Sequence, residues 1–125
     1  LHQPPPVHHT FQADQFVLCS FTPRMLDYHP QAVPAPYNHS NVMSDEVIYY
    51  ANDKFISRRG AGFGSLTLHP AGLPHGPQPG KAEESIGGKR TEELAVMIDT
   101  FRPLKIAAPA IDFEDSTYRQ SWIDS

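Results

Sequence analysis

Few of the usual signals of partner or compartment are present in this chain. It has a single cysteine, Cys19, so an intrachain disulfide is excluded. The thiol fits a reducing compartment, or simply a core position within Phe16-Val17-Leu18-Cys19. Basic residues are scarce: ten Lys and Arg against fourteen Asp and Glu leave a net charge of −4. With no basic run, nucleic acid and anionic membrane are poor partners. No apolar stretch approaches the roughly 18 residues of a membrane span, and no signal peptide is visible, so the expected location is cytoplasmic. Internal repeats and low-complexity tracts are absent. The glycine-rich Gly60-Ala61-Gly62-Phe63-Gly64 lacks both the strand–loop–helix setting and the lysine of a phosphate cradle.

Proline, by contrast, is abundant, with thirteen in 125 residues, about twice the usual share. The prolines cluster at 4–6, 30–36 and 70–79, where they interrupt helices and favour short extended segments. The length allows one domain at most, with room for a core. Residues 10–21 are apolar and β-rich and predict a buried strand; residues 22–38 predict a long ordered loop. Residues 42–50 predict a strand closed by the turn signal Ala51-Asn52-Asp53-Lys54, with residues 55–59 returning from it. Gly64 to His69 alternates cleanly. Leu66 and Leu68 lie on one face and Ser65, Thr67 and His69 on the other, so His69 points where the polar residues point. In residues 92–101 the β-branched content and Pro103 favour strand over helix. Residues 112–122 predict a short terminal helix, capped by Asp115 or Ser116, with Tyr118 meeting Trp122.

The seven histidines are more than such a chain needs. His2, His8, His9 and His29 sit beside prolines or in loops and read as surface or structural. The others belong to a pattern. Asn38-His39-Ser40-Asn41-Val42-Met43-Ser44-Asp45-Glu46 precedes the strand-like Val47-Ile48-Tyr49-Tyr50, and Gly64 to His69 runs on through Pro70, Gly72 and Pro74 to His75. Two imidazoles and a carboxylate set around β-strand text are the ingredients of a facial triad for non-haem iron, with open positions for substrate and oxygen. His39 and Asn41 share a face of an extended segment. Glu46 is an odd seven residues from His39 and needs a bulge or turn near Met43-Ser44-Asp45 to rejoin that face. Asp45 is the competing carboxylate. Glu46 is preferred because it directly precedes the apolar Val47-Ile48.

The spacing resembles the two cupin motifs, G-x5-H-x-H-x3-4-E-x6-G and G-x5-P-x-G-x2-H-x3-N. The second is matched from Gly64 through Pro70 and Gly72 to His75, with Pro79 in place of the closing Asn. The first is matched by His39 and Glu46, with Asn41 replacing the second His and Asp53 the closing Gly. A four-ligand cupin site thereby becomes a two-His, one-carboxylate site. The surrounding text resembles homogentisate 1,2-dioxygenases. Pro36-Tyr37-Asn38-His39-Ser40-Asn41-Val42-Met43-Ser44 is similar to their PYYHRNxMSE segment, and Ser65 to His69 with Pro74-His75-Gly76-Pro77 to their SLH…PHGP segment. Asp115 to Trp122 is similar to their closing D-x-x-Y-x-x-x-W.

That resemblance implies an all-β cupin jelly-roll barrel with a short C-terminal helix. It makes residues 1–125 the C-terminal cupin domain of a longer, bicupin-like protein. Residues 1–38 would be a Pro-rich lead-in and first strand, 39–104 the metal-binding barrel core, and 105–125 a tail and helix. The implied activity is Fe(II)-dependent cleavage of homogentisate to maleylacetoacetate with O2, in tyrosine and phenylalanine catabolism, by a homo-oligomer (trimer or hexamer). The implied metal ligands are His39, Glu46 and His75. Substrate contacts fall on His69, His75, Arg58 and Phe55, while the family's usual base lies upstream of this chain. His69 could also be a hydrogen-bonded barrel histidine or a fourth ligand. Arg58 is a carboxylate clamp or a solvated strand end, and Phe55 stands near a substrate-contacting Tyr of the family. The rival readings are a non-catalytic metal- or small-molecule-binding cupin and an isomerase using another divalent metal.

Overall fold

A computed structural model describes residues 8–26 and 29–123. The structure is mostly β. β1 (His8–Ala13), β2 (Phe16–Phe21), β4 (Asp45–Tyr50), β5 (Leu66–His69) and β7 (Ala95–Thr100) form an antiparallel sheet in the order β1-β2-β7-β4-β5. β3 (Arg24–Met25) and β6 (Arg90–Thr91) form a two-stranded sheet beside it. Among the described residues, helix is confined to α1 (Lys81–Ser85), α2 (Ala108–Ile111) and a final 3-10 helix, Tyr118–Trp122. No helix among the described residues is long and apolar enough to cross a membrane.

Three expectations need correcting. The single buried strand over residues 10–21 is a hairpin: the chain reverses at Asp14-Gln15, and β1 is exposed along its whole length. Asp is a strong turn former, and it outweighs the apolar run around it. The return strand over residues 55–59 is absent. β4 is already paired on both sides, with β5 and β7, so no edge remains for it. Asn52 instead takes the amides of Lys54 and Leu94 on its side-chain oxygen, at 3.1 and 3.3 Å, and ties this turn to the entry of β7. Lastly, the terminal helix over residues 112–122 shrinks to one 3-10 turn. Its start is held by Asp115 Oδ1, which accepts the Thr117 amide at 2.9 Å.

The strand choice for residues 92–101 holds at β7, and the registers show why that matters. One face of the sheet carries successive cross-strand rows. Phe21, Ala95 and Tyr50 form the first; Cys19, Met97, Ile48 and Thr67 the second; Val17, Asp99, Glu46 and His69 the third. The first row belongs to the apolar core, where Phe55 meets Phe21 and Tyr50 edge-on with centroids 5.0 and 4.9 Å apart. Such contacts are the favoured geometry of aromatic rings. Polarity rises along the rows and is greatest in the third. On β5 the two leucines face outward, with Leu66 66% exposed, while Thr67 and His69 are buried. Period-two alternation therefore sends the polar side inward, as the sequence pattern implied.

Candidate metal centre

His39 and His75 come from two loops joined by an isolated antiparallel bridge. Each amide donates to the other residue's carbonyl at 2.8 Å. Pro70 to Leu73 turns the second loop, with the Leu73 amide on Pro70 O at 3.1 Å and Gly72 at φ +78. Glycine suits that third position because other residues resist positive φ there. The loops touch closely: a Cβ at Gly76 would lie 2.8 Å from Asn38 Cα.

The bridge presents the two rings in the same way. Nδ1 of His39 lies 2.8 Å from Tyr37 O, and Nδ1 of His75 lies 3.0 Å from Leu73 O. A carbonyl only accepts, so both Nδ1 atoms carry the hydrogen, and in the neutral rings both Nε2 atoms keep the lone pair. His75 Nε2 is buried and has no hydrogen-bond partner among the described residues.

Glu46 supplies the carboxylate. It pairs across the sheet with His69 on one side and Asp99 on the other. Its Oε1 takes the His69 Nδ1 hydrogen at 2.7 Å and lies 3.6 Å from His75 Nε2. Its Oε2 accepts from Asn41 Nδ2 at 3.3 Å. Asn41 therefore steadies the carboxylate. The odd seven-residue gap is absorbed because β4 begins only at Asp45, after a bend at 42–43. Asp45 is engaged elsewhere, accepting the amides of Leu104 (2.7 Å) and Ala71 (2.8 Å). Those two bonds hold its carboxyl below the usual range.

Donor atoms of His39, Glu46 and His75 all lie within 4.8 Å of one another. Donors sharing one ion at about 2.0–2.2 Å stand on the order of 3–4 Å apart, so a small contraction would close the set on a cation. Charge states fit as well. Burial pushes the Glu46 carboxyl up, but the His69 hydrogen bond and the imidazoles of His69, His75 and His39 outweigh it, and the group stays below the ordinary range. His75 Nε2 and Glu46 Oε1 stand 3.6 Å apart without a hydrogen bond, and with the imidazole neutral they are two acceptors facing each other. A bound cation satisfies that arrangement.

His69 is placed differently. Its Nδ1 donates to Glu46, and its Nε2 faces Arg58 Nη2 at 3.3 Å. A guanidinium only donates, so His69 has no lone pair left for an ion. Burial chiefly lowers its pKa, with Arg58 adding to that and Glu46 opposing it. The ring stacks on His75 with centroids 4.4 Å apart.

Arg58 is not a solvated strand end: it is buried, at 8% exposure. Its guanidinium donates to Ser57 O and Gly76 O, faces His69, and lies 5.3 Å from the Trp122 ring centre. Phe55 has a packing role in the apolar cluster.

Asp99 was missed by sequence reasoning. It is the cross-strand neighbour of Glu46, and its Oδ1 is buried with no partner among the described residues. Burial first, then Glu46, raises its pKa to about 6, while His39 pulls the other way. The signal was present: an acid at an inward position of an otherwise apolar strand is rarely left without a task.

Comparison with known proteins adds a name. No family model matches the chain. A protein of Saccharolobus solfataricus that bears the name "Putative dioxygenase" is 46% identical across the whole of this chain. The chain spans 33% of that relative's length. Among solved structures, that of the TT1209 protein from Thermus thermophilus is 21% identical, with 78% of this chain and 83% of that chain covered and a TM-score of 0.47.

Proposed function

We propose that this chain carries the metal centre of an Fe(II)-dependent ring-cleaving dioxygenase acting on homogentisate or a related dihydroxyphenyl acid. On this reading, residues 1–125 are a cupin barrel domain at the C-terminal end of a longer homo-oligomeric enzyme. The observation that carries the proposal is the partnerless lone pair of His75 Nε2, buried 3.6 Å from the Glu46 carboxylate, with His39 beside it. The name borne by the relative from Saccharolobus solfataricus points the same way. The likeness of its motifs to homogentisate dioxygenases supplies the substrate class.

His39, Glu46 and His75 would hold the ion, and Fe(II) there would supply oxygen activation and a grip on the ring hydroxyl. The chain's own residues hold that set in place. The bridge fixes both imidazoles, His69 and Asn41 fix the two oxygens of Glu46, and Arg58 fixes the His69 tautomer. This is the outer support that metal ligands require. Arg58 could clamp a substrate carboxylate only by giving up His69 or Gly76, so the acid group of homogentisate would need a further cation.

Because the resembled family's base lies upstream, residues 1–125 alone should be inactive, so the test is anaerobic loading with Fe(II) of the longer protein that carries this chain, followed by oxygen uptake with homogentisate. One O2 consumed per ring opened supports the reading. Turnover without O2, with Zn(II) or Mn(II), favours the isomerase. Ligand binding with no turnover favours the non-catalytic cupin. Failure to take up any divalent ion refutes the metal centre.

A further inference from the structure

Asp99 stands in the same row as Glu46 and His69, between them and the β2 side of the sheet, where Val17 is its other cross-strand neighbour. Val17 has nothing to donate. Glu46 is an acceptor whose oxygens are taken by His69 and Asn41. No described residue donates to Asp99 Oδ1, although that atom is buried. A buried carboxylate oxygen with no donor is costly, and native structures seldom keep one without a use. The centre's own side chains do not supply the hydrogen in the observed arrangement. Both histidine Nδ1 atoms point at carbonyls, and in the neutral rings both Nε2 atoms are acceptors.

From this we infer that Asp99 is the hydrogen-bond acceptor for a hydroxyl of the small molecule bound at the metal centre, and that the site selects ligands carrying an O–H beside the metal-facing oxygen. This rests on the proposed metal site and narrows its ligand class to vicinal diols, which favours a 1,2-dihydroxyphenyl acid over homogentisate, whose hydroxyls stand para to one another. An aromatic ring with two hydroxyls fits: one oxygen faces the centre and the other donates to Asp99. An ether at the second position offers no hydrogen and leaves the carboxylate unsatisfied. Sites built this way reject the analogue that lacks the donor far more strongly than its size would suggest.

The experiment uses the full chain loaded with Zn(II), a redox-silent ion, and calorimetric titration with catechol and with 2-methoxyphenol. Wild type should prefer catechol by about 10- to 100-fold, the range expected for a hydrogen bond to a charged acceptor. Asp99→Ala should reduce the preference to about threefold or less, and Asp99→Asn, which keeps a neutral acceptor, should lie between. Zn(II) affinity should stay within about threefold of wild type in both variants. An undiminished preference for catechol in Asp99→Ala overturns the inference while leaving the metal centre standing. A tenfold or greater fall in Zn(II) affinity in both variants also overturns it, because Asp99 would then serve the ion. Absence of Zn(II) uptake by wild type removes the metal site and the inference with it.

Discussion

Replacing His69 by Gln separates a side chain that holds Glu46 from one that would hold an ion. The His69–Glu46 bond spans 2.7 Å, and both side chains are less than a tenth exposed. A desolvated, charge-assisted bond of this kind is worth about 1.5–3 kcal/mol. Its loss frees the Glu46 carboxylate to rotate, which should weaken metal binding by about 10- to 100-fold, the usual penalty for losing the support behind a ligand. His75→Ala removes a donor itself and should leave no measurable binding. Thermal unfolding with and without Zn(II) reads both effects. At about 100 times the wild-type Kd, wild type should gain about 2.7 kcal/mol, His69→Gln about 0.4–1.4 kcal/mol, and His75→Ala nothing. For a chain of this size each kcal/mol moves Tm by about 3–6 °C, so the three proteins separate clearly. Equal loss of metal stabilisation in the two variants would make His69 a ligand and refute the division of roles. Wild-type stabilisation in His69→Gln would show that the bond does not orient Glu46.

Three further outcomes follow from the same geometry. Gly76→Ala puts a Cβ 2.8 Å from Asn38 Cα, so it should cost about 1–3 kcal/mol of stability and weaken metal uptake, both measurable by urea unfolding and titration. Arg58→Met removes one of the charges that depress His69, so the His69 pKa should rise, which histidine NMR titration will detect; an unchanged or lower value refutes the contact. Asp99 has a folded pKa of about 6 against 3.8 in the open chain. The native state therefore binds the extra proton between those values, and stability falls as pH rises through that window. Discounted for partial exposure, the loss is about 1–2 kcal/mol. Metal-free Asp99→Asn should avoid it, gaining on wild type above pH 6 and matching it below pH 4; parallel curves would refute the assignment.

Much of the candidate site was legible because turns and strand parity leave marks in sequence. Pro70 and Gly72 fixed the approach to His75, and the alternation of Leu66 and Leu68 against Thr67 and His69 gave the inward face. Glu46 could be preferred over Asp45, but only the bend at 42–43 explains how the odd count is absorbed. Arg58 was not readable. Its environment is made by Trp122, 64 residues onward, and by Gly76 and His69, and no local pattern encodes such a meeting. The hairpin at Asp14-Gln15 was hidden for the opposite reason: its flanks are apolar enough to read as one strand, although β1 lies exposed at the sheet edge.

The bridge between His39 and His75 closes a loop of 36 residues (75 − 39) with two backbone hydrogen bonds. Closing such a loop in a flexible chain costs about 3 kcal/mol beyond a constant. Folding has already met that cost before any ion arrives, so the two imidazoles meet it as a single rigid jaw. The His39 and His75 amides should then exchange with solvent together, at a rate set by opening of the jaw. A bound ion would act as a clasp across it, slowing exchange at both amides by the same factor and marking how often the loops part.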